Sequence, residues 1–293
     1  MSSSRSSYLL PDLALLYAAI MWGLFWYPLR LFENAGLPAI WVTLVAFGCA
    51  FIVGAIFTYR QRHEYRLHVP TQIVLALSAG WCNAAFLVAL VEGNAIRVIL
   101  LFYLSPVWTV LLGHFILKEK LTSRALMIFG LAFVGAMIML WDPVMGIPWP
   151  QNTSDWLALS SGMGFALSNV LIRSLQQVSI AVKTTFSWLG CIVIAAAWIL
   201  IVGYELPAVA ESIWYYSILL GVFGVVFMGL SVQYGVTHMP VYRSAIILLF
   251  EIPVTAVSVY WLVGETMSPL EWTGGGIVAL SAWLVARMEK SSA

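Results

Sequence analysis

The chain has 293 residues, of which 62% are hydrophobic and 9% charged, with a formal net charge of +1 and a mean hydropathy of +0.94. A soluble globule carries about 25% charged residues, so this composition excludes one and places the chain in a membrane. It also leaves no basic surface for a nucleic-acid partner.

Uncharged or nearly uncharged runs long enough to cross about 30 Å of hydrocarbon recur along the chain. They fall at residues 9–31, 38–59, 70–91, 94–116, 124–141, 154–174, 180–203, 211–236, 240–262 and 270–287. The expected fold is an all-α integral membrane protein of ten transmembrane helices. Met1 to Ser7 carries one arginine and no small-residue cleavage site follows it, so the first run reads as a retained helix rather than a signal peptide.

The second half repeats the first. Trp22-Gly23 and Arg30 in the first run answer to Phe165-Ala166 and Arg173 in the sixth at one constant offset. Arg97, Pro106-Val107 and Glu119 around the fourth answer to Arg243, Pro253-Val254 and Glu265 around the ninth, with a one-residue slip before the proline that is undone after it. Five crossings per copy turn the second copy upside down, the architecture of a secondary transporter with its substrate site between the halves. The expected division is 1–145 and 146–293, two inverted five-helix repeats around a central cavity.

Lysine and arginine orient the chain. Arg5, Arg60, Arg62, Arg66, Lys118, Lys120, Arg124, Arg173, Lys183, Arg243, Arg287 and Lys290 fall on one side, and only Arg30 and Arg97 on the other. That bias predicts cytoplasmic N- and C-termini, in a bacterial-type inner membrane. The longest loop, about 142–153, is then external. The loops are too short to form a catalytic domain and no phosphate-binding G-x-x-x-x-G-K-[ST] motif occurs, so no enzyme and no nucleotide-driven pump is expected. Cys49, Cys82 and Cys191 all fall inside runs and show no metal-ligand spacing. Neither a metal nor a cofactor is expected.

Trp22-Gly23 early in the first run, Pro106-Val107 and Pro253-Val254, the helix-end pairs Lys118-Glu119 and Gly264-Glu265, and the small-residue last run of each half resemble the drug/metabolite transporter superfamily, EamA type. The similarity covers nearly the whole chain, and its nearest branch is the aromatic amino-acid exporters. The resemblance implies a ten-helix basket with a central cavity, alternating access, and export of amino acids or other small metabolites. One departure is Phe165, where many members keep tryptophan.

Within the runs the polar side chains are few. Glu251 lies ten residues after Val241, about 15 Å along a helix and hence near the bilayer midplane. An acid there faces protein or water, because a carboxyl in lipid costs about 3 kcal/mol. It reads as a proton-coupling carboxyl or a partner for a substrate amino group, or else as a neutral acid bonded between helices. With Ser244, Thr255 and Ser258 it forms one polar stripe at helical spacing. Asn83, one turn from Phe86, suits a cavity that receives a zwitterion with an apolar side chain, or an interhelical hydrogen bond. Ser168 and Asn169 occupy the inverted neighbourhood of Trp26 and Tyr27, with Asn169 nearer the helix end.

Trp41, Trp141, Trp149, Trp156, Trp214 and Trp272 fall at run ends, as an interfacial belt does. Trp22, Trp81, Trp108, Trp188 and Trp198 do not, and of these Trp22, Trp81 and Trp188 are candidates to line the cavity beside Phe165. Their faces suit apolar or aromatic amino acids. Pro106 and Pro253 predict paired kinks, as hinges or as fixed bends. Ala132-x-x-x-Ala136 and Gly275-x-x-x-Ala279 predict close-packing faces that fasten the scaffold of a monomer, or alternatively a dimer contact. Arg97 and Arg243 are expected to anchor helix ends at the headgroups, or Arg97, beside Glu92, to guard the cavity mouth. The runner-up functions are a multidrug exporter of lipophilic cations, and a non-transporting sensor or assembly factor.

Overall fold

The computed structural model describes residues 9–93, 95–119, 122–141, 150–264 and 268–287. Arg5, Lys120, Trp149, Glu265 and Lys290, and the side chain of Glu92, lie outside what it describes. Among the described residues the chain is helical with no strand.

The helices follow the apolar runs in order. α1 consists of two pieces, Leu9–Leu24 and Trp26–Asn34. α2 is Ala39–Thr58 and α3 is Val69–Glu92. α4 is again two pieces, Ala95–Phe102 and Ser105–Leu117. α5 is Ser123–Met139, α6 is Thr153–Ser174 and α7 is Ile180–Val202. α8 spans Glu211–His238 with a wide π turn at Leu220–Val225. α9 is broken into Val241–Leu248 and Glu251–Val263, and α10 is Pro269–Ala286. Seven of these, α1 to α4 and α7 to α9, are long and apolar enough to cross a membrane. α5 is shorter, and Asp155 and Arg173 in α6 and Glu271 in α10 lower the apolarity of the other two.

Each break lies just ahead of a proline. A proline has no N–H to give to the carbonyl four residues back. Pro28 therefore releases Leu24, Pro106 releases Phe102 and Pro253 releases Leu249, each at the edge of a break. The kinks at Pro106 and Pro253 match the expectation. The one in α1 does not repeat, because Leu171 stands at the corresponding position of α6, which runs unbroken.

Helix starts are fixed by short polar side chains: Thr122, Asn152, Ser179 and Ser268 each accept from a backbone N–H three residues on. Lys118 and Gly264, equivalent in the two halves, both end their helices in the left-handed conformation, at φ 56° and φ 79°.

α3 packs along α6 and α7, and α8 along α1 and α2; α4 packs on α6, and α9 on α1. α2 meets α7, and α5 meets α10. Exchanging every helix with the one five places along maps this pairing onto itself, the internal two-fold relation the sequence repeat implies. Small residues let the backbones approach. A side chain on Gly190 of α7 would run into the Ala76 carbonyl of α3, and one on Gly221 of α8 into the Ala46 carbonyl of α2. The small faces of α5 and α10 cover each other: Gly135 meets Gly274 and Ile277, and Ala132 and Ala136 are fully buried.

Candidate functional site

Two cavities lie end to end between the halves. The first, about 220 Å³, lies toward the chain termini, lined by Thr109, Ile172, Thr184, Ser187 and Gln233 among others. The second, about 320 Å³, lies toward the opposite ends of the helices, lined by Leu29, Val42, Leu90, Ile99 and Leu140 among others. Both are lined by Trp22, Phe47, Asn83, Phe86, Tyr103 and Glu251. These six form a waist across which the cavities adjoin.

The proline breaks build this waist. The break in α9 sets Glu251 at the first turn of the half-helix Glu251–Val263, and the break in α4 leaves Tyr103 between its two pieces. The Tyr103 hydroxyl is the polar partner of the Glu251 carboxyl. Rings enclose them: Phe86 lies 4.6 Å from Phe102, Phe102 lies 5.8 Å from Phe165, and Trp22 packs edge-on against Phe25 at 5.1 Å. No lysine, arginine or histidine lines either cavity among the described residues, and the acids there are Glu251 and, in the second cavity, Glu271.

Of the residues singled out from sequence, Trp22, Asn83, Phe86, Phe165, Ser168, Trp188 and Glu251 line the first cavity, as does Pro106. Trp81 does not. It is 36% exposed on the outer face of α3, its ring N–H donates to Ser160 Oγ at 3.1 Å, and it leans on Trp198. Two helical positions after Trp81, Asn83 points inward, so one helix face cannot present both to the cavity. Pro253 lies behind the waist, against Gly275.

Asn83 bridges helices and faces the cavity at once. Its amide nitrogen donates to Ala79 O at 3.0 Å and to the Cys191 thiol at 3.4 Å, which leaves the carbonyl oxygen for the cavity. Ser168 is bonded to Gly164 O and to Ser78 across to α3. The polar stripe on α9 is divided in its use: Thr255 donates to Gly23 O, Ser258 accepts from the Trp26 ring N–H at 2.9 Å, and Ser244 is bonded within its own helix.

The headgroup role expected of Arg97 and Arg243 is overturned. They are 8% and 3% exposed. Arg97 donates to Asp155 at 2.7 Å, tying α4 to α6, and Arg243 grips Asp12 at 3.0 and 2.6 Å, tying α9 to α1. A guanidinium taken out of water needs a carboxylate partner, and the repeat supplies it twice, because Asp12 and Asp155 stand at the same offset as Trp22 and Phe165. One pair lies toward the terminus side of the bundle and its counterpart toward the opposite side. Sequence reasoning missed these aspartates, and also Tyr103 and Gln233; matching acids at the repeat offset would have found the aspartates.

A sequence profile of the EamA-like transporter family matches residues 9–141 and again 152–287. The uncharacterized transporter YojE of Bacillus subtilis is 26% identical over 241 residues, covering 78% of this chain and 77% of its own. An uncharacterized transporter of Archaeoglobus fulgidus is 24% identical over 204 residues, 68% of this chain and 71% of its own. A solved crystal structure shares the fold at a TM-score of 0.75 and 16% identity, over 94% of this chain and 97% of its own.

Proposed function

The chain belongs to the EamA-like transporter family, and from that premise we propose that it is a secondary exporter of small metabolites, foremost amino acids with apolar or aromatic side chains, working by alternating access. In this reading ten helices cross the cell membrane as two inverted repeats with both termini in the cytoplasm. The observation that carries it is the waist: two cavities toward opposite ends of the bundle share Trp22, Asn83, Phe86, Tyr103 and Glu251. A solute held there passes from one side to the other when one end opens and the other closes. The breaks at Pro106 and Pro253 are the hinges, and the Asp12–Arg243 and Asp155–Arg97 pairs, both formed in this state, release in turn as each end opens.

Aromatic rings give the substrate side chain a stacking surface, and the Glu251 carboxyl receives its ammonium group or a coupling proton. Uptake of labelled amino acids into proteoliposomes, with and without a pH gradient, tests this. If Glu251 couples protons, Glu251→Gln abolishes the response to the gradient and leaves counterflow intact; if it binds the ammonium, both modes weaken together. Full transport in both modes by the variant overturns its role. No transport of any amino acid by the wild type overturns the substrate reading.

That no basic residue lines the cavities among the described residues, while Glu251 does, supports a second reading, an exporter of lipophilic cations. A hydrophobic amine that moves through the protein while amino acids do not would establish it instead.

A further inference from the structure

An amino acid in this cavity poses a problem that Glu251 does not solve. Its carboxylate is costly to bury without donors, and among the described residues the lining provides no cationic side chain. Most hydroxyl donors there are already committed to their own helices: Thr109 to Ser105 O, Thr184 to Ile180 O and Ser187 to Lys183 O.

Two lining side chains stand apart. Asn169 on α6 is 3% exposed, yet its amide has no hydrogen-bond partner among the described residues. Ser105 on α4 is 2% exposed and its hydroxyl is likewise without a partner there. Ser105 also opens the 13-residue half-helix Ser105–Leu117, whose preceding residue offers no side-chain cap. At that start the Val107 and Trp108 N–H groups bond back to Leu104 O and Pro106 has no N–H, so the Ser105 N–H and hydroxyl are the donors the break leaves beside the cavity. On the other wall Gln233 of α8 offers the opposite polarity. Its amide nitrogen donates to Ser187 Oγ at 3.0 Å, and the Ser187 hydroxyl in turn donates to Lys183 O. Its carbonyl oxygen is left buried without a donor.

Resting on the amino-acid export reading above, we propose that the start of the half-helix Ser105–Leu117 and the Asn169 amide hold the carboxylate of the transported amino acid, while Glu251 and the Gln233 carbonyl take its ammonium. Donors on α4 and α6 and acceptors on α8 and α9 then line one cavity, a pattern that suits the two charges of a zwitterion.

The test is counterflow in proteoliposomes of L-phenylalanine, its carboxamide L-phenylalaninamide, and phenethylamine, which has no acyl group. Asn169→Asp places a negative charge where the carboxylate sits. It lowers phenylalanine counterflow about ten-fold or more while phenylalaninamide stays within about two-fold. Ser105→Ala, which removes one donor at little structural cost, lowers phenylalanine selectively by about three-fold. Equal losses for all three compounds, or an unchanged phenylalanine rate in both variants, overturn the subsite while leaving the exporter reading in place. A wild type that carries phenethylamine but not phenylalanine also overturns the subsite and establishes the cation reading. A wild type that carries none of them removes the export reading and the subsite with it.

Discussion

Asn83 and Glu119 show how single polar side chains in this chain join neighbouring helices. The Asn83 amide nitrogen ties α3 to α7 and leaves one acceptor for a ligand. Glu119, just past the end of α4, accepts from the Val241 backbone N–H at 3.0 Å and faces Arg173 at 3.5 Å, so one carboxyl joins the ends of α4, α6 and α9. Burial pushes its carboxyl above the usual carboxylate range, and the Val241 N–H and Arg173 only partly pull it back. The folded chain thus holds this proton more tightly than the unfolded chain. The stability it contributes is fully present below the ordinary glutamate value of about 4.3 and is lost as pH rises through the raised value. In a Glu119→Gln variant that loss disappears. The thermal midpoint of the variant in detergent, relative to wild type, rises as pH climbs from the ordinary glutamate value through the raised one and then levels. A pH-independent difference would show that the charged form is accommodated as well as the neutral one.

At the scale of the helix, the same two devices recur in each half: a proline break and a buried ion pair. The breaks in α4 and α9 start new half-helices at Ser105 and Glu251, and so bring both side chains to the cavity lining. The ion pairs hold α4 to α6 and α9 to α1. Removing one carboxylate leaves a buried guanidinium without its counter-charge, so Asp155→Asn and Asp12→Asn are each expected to cost about 3–5 kcal/mol, measured by unfolding in detergent. Replacing both members of a pair with apolar residues of similar size recovers most of that. A single-variant loss below about 1 kcal/mol would mean that the pair is screened like a surface one. Equal losses at both sites are expected from the repeat.

For the whole molecule, orientation decides which cavity is loaded. With twelve basic residues assigned to one side and two to the other, the proposed orientation puts the cavity lined by Gln233 and Thr184 on the cytoplasmic side. Cysteine probes test it: a membrane-impermeant reagent added outside cells labels Gln151→Cys and spares Arg62→Cys, both exposed or partly exposed at opposite ends of the bundle. The native cysteines are buried or partly buried within helices and do not compete. The reverse labelling pattern would place the loading cavity outside and turn the exporter reading into import.

The sequence by itself determined the class of this protein, its helical runs, the repeat and the two shared kinks. Each follows from a local cause: apolar length sets a span, proline breaks a helix, and one repeat carries the same signals as the other. It also brought out Glu251, since an acid in an apolar run is conspicuous without any knowledge of its neighbours. Tertiary structure decided which way each side chain faces. Trp81 and Asn83 are two residues apart and turn to opposite surroundings; Arg97 and Asp155 are far apart in sequence and become one buried pair. Whether a tryptophan lines a cavity or meets lipid, and whether an arginine reaches the headgroups or a partner, depends on the rotation of each helix about its axis. That rotation is set by where Gly190, Gly221 and Gly274 let neighbouring backbones touch. Burial on all sides removes the amphipathic pattern from which sequence would otherwise reveal the facing of a helix.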